Sequence, residues 1–297
     1  MRGWWRDLTD LVLPAECGGC GVSRAVLCGR CRTALDGGGP RRVRPVPEPS
    51  GLPVVFAAGR YADEVRAALL AHKERGALGL AGPLGAALAG AVRGVVGEGG
   101  GWGEGEGAPE PRQREPRHPH PHPTPNLDPI PHHHPYHPLL LIPLPSSRPA
   151  TRARGHDPAR RIAFAAAGEL RRSGMAARVV PVLRQRRAVA DQAGLGPAER
   201  WANLAGALTV ARGADGLLLD GRIVLVDDVM TTGASLAEAA RAVREALGAR
   251  AVRGGTGGMT VGVGGMRNGQ GRPVRKGVGE VISAAVVAAP PDSFEMK

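Results

Sequence analysis

Hydrophobic positions along the chain fall into short blocks that alternate between two periods. Val54 to Ala58 (VVFAA), Leu139 to Pro143 (LLLIP), Ile223 to Val226 (IVLV) and Val281 to Ala288 (VISAAVVA) are near-continuous apolar runs, too short for helices. Such runs are expected of strands buried on both faces of a parallel sheet. Ala177 to Val182 reads as a further short strand. Between these blocks the period lengthens. Ala62 to Lys73 (ADEVRAALLAHK) places Val65, Leu69 and Leu70 at helical spacing, and Ala77 to Val96 and Pro158 to Arg172 fit two more helices. Leu236, Ala240, Val243 and Leu247 form the stripe of a helix that starts near Ser235 and meets Gly248 at a natural C-cap position. Strands alternating with helices predict an α/β fold with a mainly parallel sheet.

Composition divides the chain of 297 residues further. Residues 1–36 hold all four cysteines and read as a small module; 37–53, rich in Pro and Arg, read as a linker; 54–297 form the main domain. Two low-complexity insertions interrupt that domain, at 97–138 and 254–279. The first runs through Gly/Glu and then Pro/His repeats and carries seven of the nine histidines. Transient metal binding there is one reading, and a solvated extended linker is the simpler one. Trp4, Trp5, Leu8, Leu11 and Val12 make a helix face suited to docking a partner or a membrane surface or, more simply, to covering the cysteine module. No apolar run approaches the ~18 residues that span a bilayer, and the first residues lack a signal-peptide core. The expectation is a cytoplasmic protein without a transmembrane segment.

The formal net charge is +12, but 36 of the 39 basic residues are Arg, so the excess can reflect coding composition. Its distribution says more. Arg148 to Ala190 holds eleven Arg against Asp157 and Glu169, a basic stretch able to meet phosphates of a small molecule or of a nucleic-acid backbone. Aromatic content of 3% disfavours a long base-stacking platform, and Phe164 and Trp201 read as core residues.

Cys17-Gly-Gly-Cys20 and Cys28-Gly-Arg-Cys31 are two CxxC turns seven residues apart. Each brings two thiolates together, and two such turns complete a tetrahedral site, with Gly18, Gly19 and Gly29 easing the tight backbone. Structural Zn²⁺ is the expected occupant. Two disulfides are disfavoured by the cytoplasmic reading, and a redox CxxC needs no twin.

The block Ile223 to Val226 ends on Asp227 and Asp228, followed by Val-Met-Thr231-Thr232-Gly233-Ala234-Ser235. This loop lies between the carboxyl end of a strand and the amino end of a helix, where α/β proteins bind phosphates. Backbone N–H groups of Thr231, Thr232, Gly233, Ala234 and Ser235 can surround a phosphate, with the hydroxyls adding donors. The two carboxylates repel a phosphate and suit the hydroxyls of a ribose or its metal. The loop lacks the Lys of a Walker motif and the GxGxxG of a dinucleotide site. A plain turn with the Asp pair capping a helix is the alternative.

The stretch "IVLVDDVMTTGAS" resembles the phosphoribosyl-pyrophosphate (PRPP) motif of type I phosphoribosyltransferases. Together with the double CxxC, "PLPSSRPATRARGHD" and "VLRQRRAVADQAGLGPAERWANLAGAL", the chain resembles the ComF/GntX family. The resemblance implies a type I phosphoribosyltransferase-like domain behind a small four-cysteine zinc module. It also implies an acidic pair on the ribose hydroxyls, a Thr-Thr-Gly loop on the 5-phosphate, and Mg²⁺ accompanying PRPP. Arg152, Arg154 and Gly155 match the family's Arg-x-Arg-Gly, and Gln192, Leu195, Arg200 and Asn203 match its hood segment. Where the family usually continues Gly-Phe-Asn-Gln, this chain has Gly155-His156-Asp157-Pro158, exchanging two amides for a ring and an acid. The change bears on PRPP turnover. His156 reads as an exposed, idle side chain, with a general acid as the alternative.

Two functions follow as expectations. One is a magnesium-dependent phosphoribosyl transfer in which Arg152 and Arg154 stabilise departing pyrophosphate. The other is a non-catalytic protein that handles single-stranded DNA on its Arg-rich surface, alongside competence or DNA-processing proteins, with the pocket regulatory or vestigial. No segment identifies a base acceptor. A degenerate paralogue is a third reading, which the intact Asp227 to Ser235 motif disfavours.

Overall fold

The computed structural model describes residues 16–98, 137–146, 151–152, 154–187, 203–255 and 282–294. The apolar blocks become β2 (Val54–Arg60), β3 (Leu139–Pro143), β7 (Arg222–Val229) and β8 (Ser283–Ala289). They lie side by side in parallel, extended at one edge by the parallel β4 (Ala177–Val179). At the other edge β1 (Arg41–Val43), drawn from the segment expected as a linker, pairs antiparallel with β2. The sheet order is β1-β2-β8-β7-β3-β4.

Because successive side chains of a strand point to opposite faces, an unbroken apolar strand demands cover on both sides. Val224 and Val226 of β7 belong to one buried cluster, whereas Ile223 and Leu225 belong to another. The first cluster is roofed by α2 (Asp63–Glu74), α3 (Ala81–Glu98) and α4 (Pro158–Arg172), the second by α5 (Ala234–Gly255). On α2, Val65 and Leu69 are buried as expected, but Leu70 faces outward and Ala68 and His72 complete the stripe. Helix α5 runs through Gly248 to Gly255 rather than stopping at the glycine. Phe164, expected in the core, is 51% exposed on α4, with the Arg160 guanidinium 5.6 Å from its ring centroid. Trp201 lies outside the described residues.

The cysteine module joins this core. Cys17, Leu27, Cys31 and Leu35, the last two on α1 (Gly29–Asp36), pack in the same cluster as α2, α3 and α4. β5 (Leu183–Gln185) and β6 (Leu208–Val210), two strands the sequence pattern did not predict, form a separate antiparallel pair. It is fastened to α5 by Glu238, 6% exposed, which accepts from the Leu208 N–H at 2.9 Å and pairs with Arg241 at 2.7 Å. Arg187 donates to the carbonyls of Asn203 and Ala205, at 2.8 and 2.9 Å, and draws the ends of the intervening segment together.

Leu78–Gly97 is the one helix among the described residues long and apolar enough to cross a membrane, a length the apolar runs alone did not reveal. Here it buries Leu84, Leu88 and Val92 completely or nearly so. It packs tightly on α4 at Gly85, where an added Cβ would lie 2.4 Å from that of Ala165. Gly85→Val is therefore expected to destabilise the fold by at least about 1–3 kcal/mol through overpacking, read as a lower midpoint in urea denaturation with unchanged slope.

Candidate functional site

The order of strands fixes where a site can form. From β3 the chain passes through α4 to β4 on one side, and it later returns to β7 on the other side of β3. The carboxyl ends of β3 and β7 therefore border a topological switch point, the crevice where open α/β sheets bind ligands. Pro143 of β3 is in register with Val226 of β7, so the segments following the two strands emerge side by side. Beyond Pro143 the chain carries Arg152 and Arg154, and beyond Val226 it carries Asp227 to Ser235.

β7 continues through the acidic pair to Val229, with Asp227 opposite Val286 and Val229 opposite Ala288 of β8. Strand alternation carries Asp228 to the side of α2, where Lys73 Nζ lies 3.3 Å from its Oδ2. The Asp227 Oδ1 accepts from the Asp228 N–H at 2.9 Å, and the Asp228 Oδ1 from the Val229 N–H at 2.8 Å. Burial, with the Asp228 charge adding to it, pushes the Asp227 carboxyl well above the usual carboxylate range despite the pull of Lys73. The Asp228 carboxylate beside Lys73 outweighs burial and raises its ammonium above the ordinary value.

The loop beyond turns at Gly233, whose φ of +74° is left-handed. A Cβ there would also come within 3.1 Å of Leu52 and 3.2 Å of Pro45. Helix α5 opens at Ala234, one residue before the expected start, and its first intrahelical bond runs from the Ala237 N–H to the Gly233 carbonyl. The Ala234 N–H meets Thr232 Oγ1 at 3.5 Å. The N–H groups of Ser235 and Leu236 precede the first intrahelical bond, so the turn retains donors for an anion. Thr231 is exposed and Thr232 and Ser235 are half-buried.

The cationic side is assembled from two elements. Arg154 Nη1 contacts Glu74 Oε1 at 3.4 Å, and Glu74 follows Lys73 at the end of α2. The buried Arg154 Nε has no hydrogen-bond partner. Arg152 is exposed and is not drawn into this group. Lys73 and Glu74 were not recognised in the sequence, where His-Lys-Glu reads as an ordinary polar helix end. Only β7 lying under α2 gives Lys73 its partner.

The departure at 156–158 has a structural account. Asp157 is the N-cap of α4, accepting from the Arg160 N–H at 3.2 Å and from Ser146 Oγ at 3.4 Å, and Pro158 takes the first turn. His156 is half-buried, contrary to the expected exposure, with a backbone carbonyl near each ring nitrogen. Gln192, Leu195 and Arg200 lie outside the described residues, as do the tryptophans of the first helix face.

At the other end of α2 the four sulfurs of Cys17, Cys20, Cys28 and Cys31 lie within 4.8 Å of one another. A tetrahedral zinc site of four sulfurs with bonds of about 2.3 Å needs sulfurs about 3.8 Å apart, so the cluster can hold a metal ion such as zinc. Cys20 Sγ and Cys28 Sγ are already 3.6 Å apart. Gly18 and Gly19 are required by space rather than by backbone freedom: Cβ atoms there would meet Leu80 at 2.6 Å and Cys31 Sγ at 2.7 Å. Burial opposes ionisation of Cys17, but N–H groups of Cys20, Cys28 and Gly19 outweigh it and bring the thiol down to about 6. Burial and the neighbouring sulfurs push Cys31 above its ordinary range. Metal binding would displace such retained protons. The cluster is tied to α2 by Arg30, 3.2 Å from Glu64.

Purified protein should contain one equivalent of zinc per chain by elemental analysis, and Cys31→Ser should lose both the metal and several degrees of melting temperature. The raised Asp227 carboxyl favours folding only while protonated, so its cost grows as pH rises above about 4. Asp227→Asn is accordingly expected to melt higher than wild type at pH 7.5 without ligand, the gap closing towards pH 4. No protein-family model matches this chain, and no curated protein matches it.

Proposed function

We propose that the crevice between β3 and β7 binds PRPP or a related ribose 5-phosphate ligand, within a type I phosphoribosyltransferase-like domain resembling the ComF/GntX family. The observation that carries this reading is the juxtaposition at the switch point. An acidic pair ends a buried strand, a left-handed Gly233 turn opens α5, and Lys73 and Arg154 stand on the opposite rim. Anionic phosphate belongs at the turn, where backbone N–H groups converge. Ribose hydroxyls belong at Asp227 and Asp228, and pyrophosphate belongs beside Lys73 and Arg154, with Arg152 on the same segment.

Such an arrangement acts by position and charge. Lys73 would exchange Asp228 for a phosphate oxygen, freeing that carboxylate to accept from a hydroxyl. Among the described residues no cluster of three acidic or histidine ligands lies here, so Mg²⁺ would arrive on the pyrophosphate rather than in a protein cage. When bound, the ion would neutralise charge developing on the leaving group. Structural zinc in the four-cysteine module completes the reading and takes no part in the chemistry, because four sulfurs leave no open position.

A second reading has its own observation. Arg160 and Arg161 are exposed on α4 beside the exposed Phe164, a basic face with one aromatic platform suited to single-stranded DNA, while Arg171 and Arg172 at the end of the helix are engaged with the Ala177 carbonyl and with Glu169. Arg178 and Arg184 in the same basic stretch are engaged with Asp220 and with the Pro181 and Leu183 carbonyls.

Calorimetric titration of zinc-loaded protein with Mg-PRPP is expected to give saturable binding at one site. The Asp227→Asn/Asp228→Asn variant should lose it, and Lys73→Ala should weaken it at least tenfold, as expected for a lost charged contact worth about 1.5–3 kcal/mol. Folded wild type that fails to bind would overturn the phosphoribosyl reading. Salt-sensitive binding of single-stranded DNA, lost in Arg160→Ala/Phe164→Ala, would then favour the second.

A further inference from the structure

Two histidines meet at the joint between the β3 segment and the last turn of α2. The rings of His72 and His156 have centroids 5.7 Å apart and planes inclined by 59°. They are held in opposite ways. His72 is 1% exposed, with Nδ1 facing the Ala77 carbonyl at 3.3 Å. Its buried Nε2 has no hydrogen-bond partner, the Pro158 carbonyl lying near but outside bonding geometry. Burial first, and then the neighbouring His156, hold His72 below the usual histidine range against the carbonyls and Asp228. The Ala77 carbonyl only accepts, so the contact at Nδ1 is a hydrogen bond in the tautomer that carries its proton there.

His156 has a carbonyl on each nitrogen: that of Arg154 lies 3.0 Å from Nδ1 and that of His72 3.2 Å from Nε2. A carbonyl only accepts, and a neutral imidazole has one N–H, so both bonds exist together only in the imidazolium. The His72 carbonyl belongs to the last turn of α2, where carbonyls lack intrahelical donors and the helix dipole favours a cation. The charged groups around the ring are Lys73 and Glu74 from α2, Arg154 and Asp157 from its own segment, and Asp228 from β7. Glu74 and Asp228 pair with Arg154 and Lys73, while Asp157 caps α4, so the immediate ring contacts are the two carbonyls and His72.

We propose that His156 is a proton-dependent staple: as imidazolium it ties residues 154–157 to the end of α2 and holds Arg154 and Lys73 in register on one rim. As a neutral ring it donates to only one carbonyl; with the proton kept on Nδ1, at the shorter contact, it releases that of His72 and leaves the Arg154–Glu74 ion pair as the remaining link between the two cationic elements. His156 is thus a positioning residue. The staple stands on the ligand-free geometry, and only its effect on affinity rests on the phosphoribosyl reading.

The test follows the ring and the backbone together. Ring ¹⁵N shifts of His156 would be recorded in ligand-free protein from pH 5 to 8, with hydrogen exchange at residues 155–157 and 73–75 corrected for intrinsic pH dependence. Both nitrogens are expected to carry protons at the acid end. Exchange should rise about fivefold as the ring loses one, the effect of about 1 kcal/mol for a single bond. His156→Phe keeps a ring but no donor, and should exchange rapidly at every pH. His156→Gln, which donates without titrating, should be protected independently of pH. Wild-type exchange that ignores the ring's titration, or a His156→Phe variant as protected as wild type, would overturn the staple. If His156→Phe does not fold, wild type and His156→Gln decide. In a parallel titration with Mg-PRPP, affinity should fall with rising pH in wild type but not in His156→Gln. Absence of binding in every variant defeats the phosphoribosyl reading, while the ring and exchange data still decide the staple.

Discussion

β7 is apolar on both faces, and that constraint organises the rest of the molecule. A strand whose odd and even side chains are both buried must lie inside a parallel sheet with helices above and below. Once β7 is central, its carboxyl end becomes the one place where the strand can show polar groups without opening the core. Asp227 and Asp228 occupy that end, and every other candidate residue of the crevice is arranged around them.

Electrostatics at this edge are only partly balanced. Two adjacent carboxylates share one ammonium, so Lys73 satisfies Asp228 while Asp227 is driven towards its neutral form. Arg154, with a buried guanidinium nitrogen left without a hydrogen bond, adds positive charge on the same rim. Groups that the fold does not fully satisfy cost stability at this edge.

Helix α2 connects this edge to the cysteine cluster. Arg30 holds its first turn at Glu64, Leu80 just beyond its end packs against Gly18, and its last turn carries His72, Lys73 and Glu74. Because Cys17 and Cys31 lie in the core that roofs the sheet, metal held by the cluster would also stabilise the packing of that core.

By itself the sequence determined the strands, the alternation with helices, the four-sulfur cluster and the loop from Asp227 to Ser235. Those features reside in local period and local spacing: unbroken apolar runs, paired CxxC turns, a glycine between small hydroxylated residues. The edge strand β1, the fastening of β5 and β6 by Glu238, the continuation of α5 through Gly248 and the exposure of Phe164 were not legible, because each depends on what lies opposite. The same holds for Lys73 and His156. One gains its partner from a strand more than a hundred residues away in the chain, the other from a carbonyl in the last turn of α2. A sequence records which groups can donate or carry charge, and only packing the sheet between its helices decides which of them face one another.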